Sequence, residues 1–474
     1  MSAAPASTDA GITQTAPREI SLGFRFLAPL CFGSILNPIN STMIATALSP
    51  IRADFHATVA QTGWLIAGLY LASAIAQPTM GRMADVFGPR RVYLFGLLMV
   101  AVAGIVGVWA PSLPVLIASR VALGVGTSAA YPTAMAILRA RAARLGGPPP
   151  RRALSILTFS AITTLVIGPS LGGALTAWFG WQSIFGVNIP MALIGIALVL
   201  LWTPKDEPRT APAGRLLAEF DFVGAALFGI TILALMLFLM NLQHPRWLLP
   251  PCFLILGTAL VLHSLRRPGP FIDVRMLARN RPLRLTYLRL GTYSILAYCM
   301  LYGFAQWLEN GPGFSSAKAG LMTLPLSIVA AACSIIGGRT KGIRMPMIVG
   351  AVAMLAGCLS LLFLHSGSAT VAFLGAGLLF GIPQGLYNTS NQAAMYVQAP
   401  AAEMGAAAGL QRTALYIGAI AASSLLGFAY GTRPDDQGLH HLALAMSVLS
   451  ALLVLMTIFD RTVPRAALKL PAAN

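Results

Sequence analysis

The sequence predicts an all-α polytopic membrane protein, and three observations lead to this prediction. Of the 474 residues, 57% are hydrophobic and only 10% are charged, against roughly 25% charged residues in a soluble domain. The mean hydropathy is +0.75. The apolar residues are grouped in stretches of about 20, the length that a helix needs to cross a bilayer. Such a chain lacks the polar residues to cover soluble domains, and its hydrophobicity excludes disorder.

About fourteen apolar stretches are long enough to span a membrane. The connections between them are short, so the chain has no room for a further soluble domain. The predicted spans are residues 26–47, 60–80, 92–110, 113–138, 153–177, 182–202, 221–241, 248–265, 286–308, 319–337, 346–365, 370–391, 407–429 and 441–459.

The basic residues predict the orientation of these spans. When the connections alternate between the two sides, 25 of the 32 Lys and Arg residues fall on the side of the N-terminus and four on the other side. The remaining three, Arg120, Arg289 and Arg412, lie inside spans. An excess of Lys and Arg marks the cytoplasmic side, so we predict that both termini are cytoplasmic. This distribution accounts for the net charge of +18 without a nucleic-acid partner, and the expected partner is the lipid bilayer.

A short repeated sequence predicts two related halves. Gly81-Arg82 follows the second predicted span, and Gly338-Arg339 follows the tenth. This offset implies two six-helix halves with a pair of helices inserted between them, an organisation known from transporters that have a site at the membrane midplane. The predicted parts are a cytoplasmic N-terminal tail (1–25), an N-terminal six-helix half (26–202), a cytoplasmic linker (203–220), an inserted two-helix pair (221–265), a cytoplasmic loop (266–285), a C-terminal six-helix half (286–460) and a cytoplasmic tail (461–474).

The loop after the second span carries the strongest motif, G-R-M-A-D-V-F-G-P-R-R. Its glycines permit a tight turn and close helix contact, and an acid among arginines can form a breakable ion-pair latch. The predicted gating residues are Gly81, Arg82, Asp85, Gly88, Arg90 and Arg91. The loop resembles the hallmark loop of the major facilitator superfamily, in which the residues matching all of these except Arg82 gate the inward face. Val86 and Pro89 stand where that family usually has basic residues.

Two further motifs extend the resemblance. Arg120-Val-Ala-Leu-Gly124-Val-Gly126 in the fourth span resembles the arginine-and-glycine motif of the family. The fifth span resembles its antiporter motif through Gly168, Pro169, Gly172 and Gly173, where the proline is expected to kink the helix. Packing alone is the alternative reading of this motif. With the inserted pair, the chain is similar to the fourteen-helix drug:proton antiporter branch. The resemblance implies a major facilitator fold in a bacterial inner (plasma) membrane, with a proton gradient as the energy source and no cofactor.

The coupling residues depart from that branch. Asn40 stands where the branch usually has an aspartate, and an amide cannot carry a proton. Glu309, near the outer end of the ninth span, is the one acid that approaches a span interior and is therefore the leading proton carrier; the alternative is an interfacial acid that faces water. A charge inside a span is costly and usually functional, so Arg120 is the third coupling candidate. It could attract an anionic substrate, or it could cap backbone carbonyls.

The other polar residues in the spans predict a substrate pocket. The candidates are Asn37, Asn40, Tyr131, Gln384, Tyr387, Asn388 and Asn391, although inter-helix hydrogen bonds could also explain them. Because acids are so few, neutral, amphipathic or anionic compounds fit better than dicationic drugs.

We therefore predict a secondary transporter that exports small amphipathic compounds by proton antiport. The alternatives are a facilitator or exchanger without proton coupling, and an exporter of one specific metabolite. A periplasmic adaptor and an outer-membrane channel are candidate partners. The spans contain no nucleophile–base pair and no metal-spaced ligands, so we predict neither an enzyme nor a metal site.

Overall fold

The computed structural model describes residues 23–57, 59–145, 151–206, 220–240, 245–314, 316–340, 342–400, 403–431 and 434–463. In these ranges the chain forms helices joined by short turns, and no strand is present. The α-helices are α1 (Phe24–Asp54), α2 (Val59–Phe87), α3 (Pro89–Val108), α4 (Leu113–Thr127), α5 (Ala130–Arg144), α6 (Arg151–Phe179), α7 (Ser183–Gly186), α8 (Asn188–Trp202), α9 (Phe222–Met240), α10 (Leu249–Arg266), α11 (Val274–Arg279), α12 (Arg281–Tyr298), α13 (Ala305–Asn310), α14 (Ser316–Arg339), α15 (Arg344–Leu361), α16 (Thr370–Gln398), α17 (Met404–Tyr430) and α18 (Asp436–Phe459). A π-helical segment, Cys299–Phe304, joins α12 to α13.

The helices follow the predicted spans in chain order. Within the described part of the chain, ten helical stretches are long and apolar enough to cross a membrane. This confirms the all-α polytopic class, whereas the count of about fourteen spans stays a prediction. The two predicted tails and most of the linker 203–220 lie outside the described residues.

The fourth and sixth predicted spans are each built from two helices. The first interruption lies between Thr127 and Ala130, three to four residues before Pro132. The second follows Gly186, four residues before Pro190. A proline has no N–H, and its ring clashes with the carbonyl four residues earlier. The prolines therefore explain where these two spans are interrupted.

The helices assemble into two bundles. Helices α1–α8 form the first half, and α12–α18 form the second half. The inserted helix α9 packs against α2 and α17, and α10 packs against α9. The two most extensive contacts between the halves are α2 against α17 and α6 against α14, which we call the first seam and the second seam. In both, the second spanning helix of one half meets the fifth of the other. Duplication of a six-helix unit would produce this reciprocal arrangement.

The first seam brings two backbones together. A Cβ atom on Gly81 would lie 2.1 Å from the carbonyl oxygen of Gly405, and one on Gly409 would lie 2.4 Å from the carbonyl oxygen of Gln77. Only glycine permits such an approach at these positions. The glycine of the hallmark loop therefore marks a helix contact between the halves. We call the end of the bundle that carries residues 82–91, 139–145 and 342–344 the arginine-rich end.

Candidate functional site

A layer of polar side chains lies between the two halves. Tyr416 of α17 donates its hydroxyl to Asn37 Oδ1 at 2.8 Å and accepts a hydrogen bond from Gln77 Nε2 at 3.1 Å. The amide of Asn37 donates to Ser73 Oγ at 3.1 Å and to Thr127 Oγ1 at 3.0 Å. Asn37 and Tyr416 lie near the middle of their predicted spans. The first half and the second half thus share one hydrogen-bonded network in the interior.

A second set of contacts extends this layer from α5 to α16 and α17. The hydroxyl of Tyr131 donates to Gln411 Oε1 at 3.0 Å, and Gln411 Nε2 donates to the carbonyl oxygen of Asn391 at 3.3 Å. The guanidinium carbon of Arg412 lies 3.8 Å from the centre of the Tyr131 ring. This position places a cation inside the polar layer.

Two more side chains cross from α6 to α16. Thr158 donates its hydroxyl to Gln392 Oε1 at 3.2 Å, and Gln392 Nε2 donates to Asn388 Oδ1 at 3.4 Å. These bonds place Asn388 in the polar layer through Gln392. Helices α1, α2, α4, α5, α6, α16 and α17 all contribute to the layer, so its hydrogen bonds connect the two halves.

Tyrosines line one side of the layer. Tyr70 of α2 and Tyr302 of the π segment are joined through their hydroxyl groups at 3.0 Å. The Tyr70 ring lies 5.8 Å from that of Tyr416, and the Tyr298 ring lies 5.7 Å from that of Tyr302. Together with Tyr131, these rings offer flat apolar faces and hydroxyl groups, the surface that an aromatic amphipathic compound needs.

Some of the predicted pocket residues lie away from this layer. Tyr387 is fully buried within the second half, where its ring stacks on Tyr293 at 5.1 Å. Gln384 accepts a hydrogen bond from the Tyr293 hydroxyl at 3.0 Å. These contacts are made inside one half. Asn37 and Tyr131 contribute side chains to the layer itself, and Asn391 contributes its backbone carbonyl.

The side chain of Asn40 also makes its hydrogen bonds within one half, the first. It is fully buried, and its Nδ2 donates to Asn188 Oδ1 at 2.7 Å and to the Leu36 carbonyl at 2.9 Å. The position at which the resemblance leads one to expect an acid therefore holds an amide that bonds to another amide. Neither side chain of this pair can release a proton near neutral pH.

The contacts of Arg120 are those of the alternative in which it caps backbone carbonyls. It is fully buried, its Nε donates to the Leu65 carbonyl at 3.0 Å, and its Nη2 donates to the Asn40 carbonyl at 3.0 Å. The guanidinium thus joins α4 to α2 and α1. An arginine held in this way fixes the geometry of the first half. Its buried Nη1 has no hydrogen-bond partner within the described structure, so the attraction of a substrate anion stays a prediction.

Glu309 lies at the exposed end of α13, next to the last residue of the helix. This position favours the alternative of an interfacial acid over that of an interior proton carrier. The ten acids that the structure describes all lie at helix ends or in loops. Among the described residues, no group of three or more His, Cys, Asp or Glu could hold a metal ion.

The gating loop forms a latch with a partner that the sequence analysis did not expect. Asp85, in the last turn of α2, accepts hydrogen bonds from the backbone N–H groups of Gly405 at 3.0 Å and Ala406 at 2.9 Å. These amides are at the N-terminus of α17, where unpaired N–H groups favour a negative charge. The carboxylate thus closes the first seam by capping a helix of the opposite half, in addition to facing the charge of Arg82.

The rest of the loop is held by an acid outside it. The backbone N–H groups of Arg90 and Arg91 donate to the two carboxylate oxygens of Asp206, both at 3.0 Å. Gly88 precedes them with a φ of +101°, a conformation that favours glycine. Asp206 therefore caps α3, and the motif gave no signal for it.

Burial raises the pKa of the Asp85 carboxyl to about 7, although the two amide hydrogen bonds and Arg82 act in the opposite direction. Glu403 adds to the rise through its negative charge. Burial also raises the pKa of the Glu403 carboxyl, helped by Asp273. The first seam therefore contains a carboxyl group that changes its charge near neutral pH.

The antiporter-type motif packs against α1. A Cβ atom on Gly168 would lie 1.8 Å from Thr42 Oγ1, and one on Gly172 would lie 2.8 Å from the Met43 carbonyl. Gly173 has no neighbour within 4 Å of such a position. Helix α6 runs through the whole motif, and the side chain of Pro169 lies outside the described residues. The first two glycines thus serve close helix contact, as the packing alternative states.

Sequence reasoning missed two interior arginines. Arg289 of α12 is fully buried and forms an ion pair with Asp460 at the end of α18, at 2.5 Å. Arg412 was placed in a span without a role, and it lies in the polar layer. The signal for both was present, since a basic residue within an apolar span is rarely accidental.

The comparisons with known proteins agree with this architecture. The family model of the Major Facilitator Superfamily matches residues 30–423. The uncharacterized MFS-type transporter YwoD of Bacillus subtilis (strain 168) is 34% identical over 413 residues, which cover 86% of this chain and 90% of YwoD. The multidrug resistance protein Stp of Mycobacterium tuberculosis (strain CDC 1551 / Oshkosh) is 29% identical over 398 residues, which cover 82% of this chain and 72% of Stp.

A solved structure shows the same fold. The crystal structure of the human organic anion transporter MFSD10 (TETRAN) matches with a TM-score of 0.67 and covers 91% of this chain and 99% of its own. The two sequences are 16% identical, so this likeness concerns the fold alone. Together with the family match, it confirms the fold that the loop motif predicted.

Proposed function

This chain belongs to the Major Facilitator Superfamily and is a multi-pass membrane transporter, and on that premise we propose that it exports small amphipathic compounds across a bacterial inner membrane. The observation that carries the proposal is the polar layer in which Asn37 of the first half bonds to Tyr416 of the second. A compound bound there contacts both halves. Rocking of the halves about it would expose the layer to one side of the membrane and then to the other.

The direction of access follows from the seams. Asp85 closes the first seam at the arginine-rich end, and Arg139 of α5 donates to the Tyr396 carbonyl of α16 at 2.9 Å at the same end. In our proposal this end faces the cytoplasm, as the excess of basic residues favours. Both termini then lie on that side. Export requires that these contacts break to admit the substrate and form again to release it.

Export is favoured over import by the names of the relatives, which include multidrug resistance proteins. A proton gradient is the proposed energy source. The proposal needs neither a periplasmic adaptor nor an outer-membrane channel, since one chain supplies both halves and the layer between them.

A second candidate function is exchange or facilitated transport without proton coupling. The observation that favours it is the buried pair of Asn40 and Asn188, at the position where the resemblance implies an acid. Each of the described acids lies at a helix end or in a loop, so an interior proton carrier is not provided by these residues.

Everted membrane vesicles that contain the protein test both candidates. The measurement is uptake of a panel of labelled amphipathic compounds, with and without an imposed pH gradient at constant membrane potential. We expect uptake that collapses when the gradient is dissipated. Uptake that ignores the gradient would replace proton antiport by the second candidate, and absence of uptake of all compounds would contradict export.

A matched pair of variants connects uptake to the polar layer. Asn37→Ala removes the hydrogen bonds to Tyr416, Ser73 and Thr127, and we expect it to reduce uptake. Ser41→Ala is the control on the same helix, because Ser41 bonds only to carbonyl groups one turn earlier in α1. Equal uptake by the two variants would show that transport does not depend on the polar layer.

A further inference from the structure

Arg412 is a cation deep inside the protein. It lies eight residues after the first residue of α17, Met404, which places it about 12 Å along the helix. Its side chain is half-buried, and its guanidinium lies over the ring of Tyr131. Tyr416 follows Arg412 by four residues and lies on the same face of α17. Arg412 is thus surrounded by tyrosines of both halves.

Among the residues that the structure describes, no acid inside a span matches the charge of Arg412. The described acids lie at helix ends or in loops, and Glu403, the acid nearest in sequence, precedes α17 by one residue. By contrast, Arg289 is fully buried and is paired with Asp460. A cation in the membrane interior without an anion is costly and is usually directed at a functional cavity.

In the described part of the chain, a buried amide without hydrogen-bond partners lies on the helix that Gln411 contacts. Gln411, the neighbour of Arg412, bonds to the Tyr131 hydroxyl and to the Asn391 carbonyl. The side-chain amide of Asn391 is fully buried, and within the described structure neither its oxygen nor its nitrogen has a hydrogen-bond partner. A buried amide without partners is rare in native proteins and invites a ligand that completes its hydrogen bonds.

We propose that Arg412 binds the anionic group of the transported compound. The compound would be an amphipathic organic anion whose aromatic part stacks on the surrounding tyrosines and whose carboxylate or sulfonate accepts hydrogen bonds from the guanidinium. This inference rests on the proposed function and adds the charge of the substrate. Arginine suits the task because its planar fork binds such groups through two parallel hydrogen bonds.

Two dyes that differ in one group test the proposal. 8-Anilino-1-naphthalenesulfonate and N-phenyl-1-naphthylamine share an aromatic framework, and only the first carries a sulfonate. Their binding to the purified full-length protein is measured by fluorescence titration. We expect the wild-type protein to bind the sulfonate about tenfold more tightly than the neutral dye, a preference that corresponds to one good charged contact.

Three variants identify the residue responsible. Arg412→Gln should abolish the preference and leave the affinity for the neutral dye unchanged, while Arg412→Lys should keep part of it. Arg279→Gln, on the exposed side of α11, loses the same charge away from the layer and should behave as the wild type. Size-exclusion profiles and the affinity for the neutral dye show that each variant is folded.

Each outcome bears on the proposal. A wild-type protein without the preference, an Arg412→Gln variant that keeps it, or an Arg279→Gln variant that loses it as strongly would overturn the assignment. The result of the export assay in vesicles does not depend on this binding measurement. Absence of export with a preference that depends on Arg412 would contradict the proposed function and preserve the binding site.

Discussion

The two seams between the halves occupy equivalent places but use different chemistry. At the first seam, Gly81 and Gly405 bring two backbones together, and Asp85 caps α17. At the second seam, Ser155 and Ser334 exchange hydrogen bonds from their hydroxyl groups to each other's carbonyl groups. One seam therefore depends on a carboxylate, and the other is neutral.

The sequence explains the difference. The repeated pair Gly338-Arg339 is followed by Thr340-Lys341-Gly342. Gly342 therefore occupies the position in the second half that Asp85 occupies in the first. The two halves share the backbone arrangement but only one retains the acid. Charge and pH should therefore act on the molecule through the first seam.

The largest expected effect comes from widening the first seam. In Gly81→Ala the new Cβ atom would meet the Gly405 carbonyl oxygen, and backbone atoms cannot give way as a side chain can. Overpacking of this kind costs about 3 kcal/mol at the upper end of its usual range. The measurement is the distance between spin labels on Arg144→Cys and Arg339→Cys, one in each half, in a variant without native cysteines.

The control for this change is Gly173→Ala in α6, where a Cβ atom meets no neighbour within 4 Å. We expect a longer distance at the arginine-rich end for Gly81→Ala and the wild-type distance for Gly173→Ala. A closed first seam in the Gly81→Ala variant would show that glycine is not required there.

Removal of the carboxylate is the second largest effect. Asp85→Ala leaves the N–H groups of Gly405 and Ala406 without their acceptor, which costs about 2 kcal/mol for a buried group. We expect the ratio of closed to open molecules to fall more than tenfold in the same spin-label measurement. Asp85→Asn keeps one acceptor oxygen without a buried charge and should stay closer to the wild type than Asp85→Ala does.

The closed population should change several-fold between pH 6 and pH 8. The raised pKa of Asp85, about 7, means that the closed state binds more protons than an open state in which the carboxyl faces water. The closed population is therefore highest at low pH and falls as the pH rises through about 7. The spin-label distance measured between pH 6 and pH 8 checks this, and Asp85→Asn should remove the dependence. A pH profile that survives Asp85→Asn must come from another group, with Glu403 as the first to examine.

The smallest effect is expected at the second seam. Ser155→Ala removes one neutral hydrogen bond, and the Ser334 carbonyl that loses it remains part of a helix, so the cost is about 0.5–1 kcal/mol. The closed population should change by less than it does in Asp85→Ala and should show the same pH dependence as in the wild type. An effect as large as that of Asp85→Ala would end the distinction between the seams.

The sequence predicted the fold more fully than the site. Apolar stretches, basic connections and one loop motif were sufficient for an all-α polytopic protein of the major facilitator type. The breaks near Pro132 and Pro190 were not predicted, because a proline can also lie inside a continuous helix, as Pro78 and Pro383 do.

For the site, the residue types were informative and their partners were not. Asn37 and Tyr131 contribute to the polar layer, whereas Tyr387 and Gln384 contact Tyr293 within the second half. A polar residue inside a span indicates an interior contact. Which contact it makes depends on the face of its helix and on the helix opposite.

By itself, the sequence determined which segments are apolar enough to enter the membrane, where the basic residues concentrate and which loop carries the glycine and arginine motif, because these properties depend on neighbours along the chain. Only the tertiary structure decided that Asp85 caps α17, that Asn40 bonds to Asn188 and that Arg412 lies over Tyr131. These partners are distant in sequence. In a membrane every span is similarly apolar, so hydrophobic patterning cannot select neighbours, and close packing of small residues decides which helices meet.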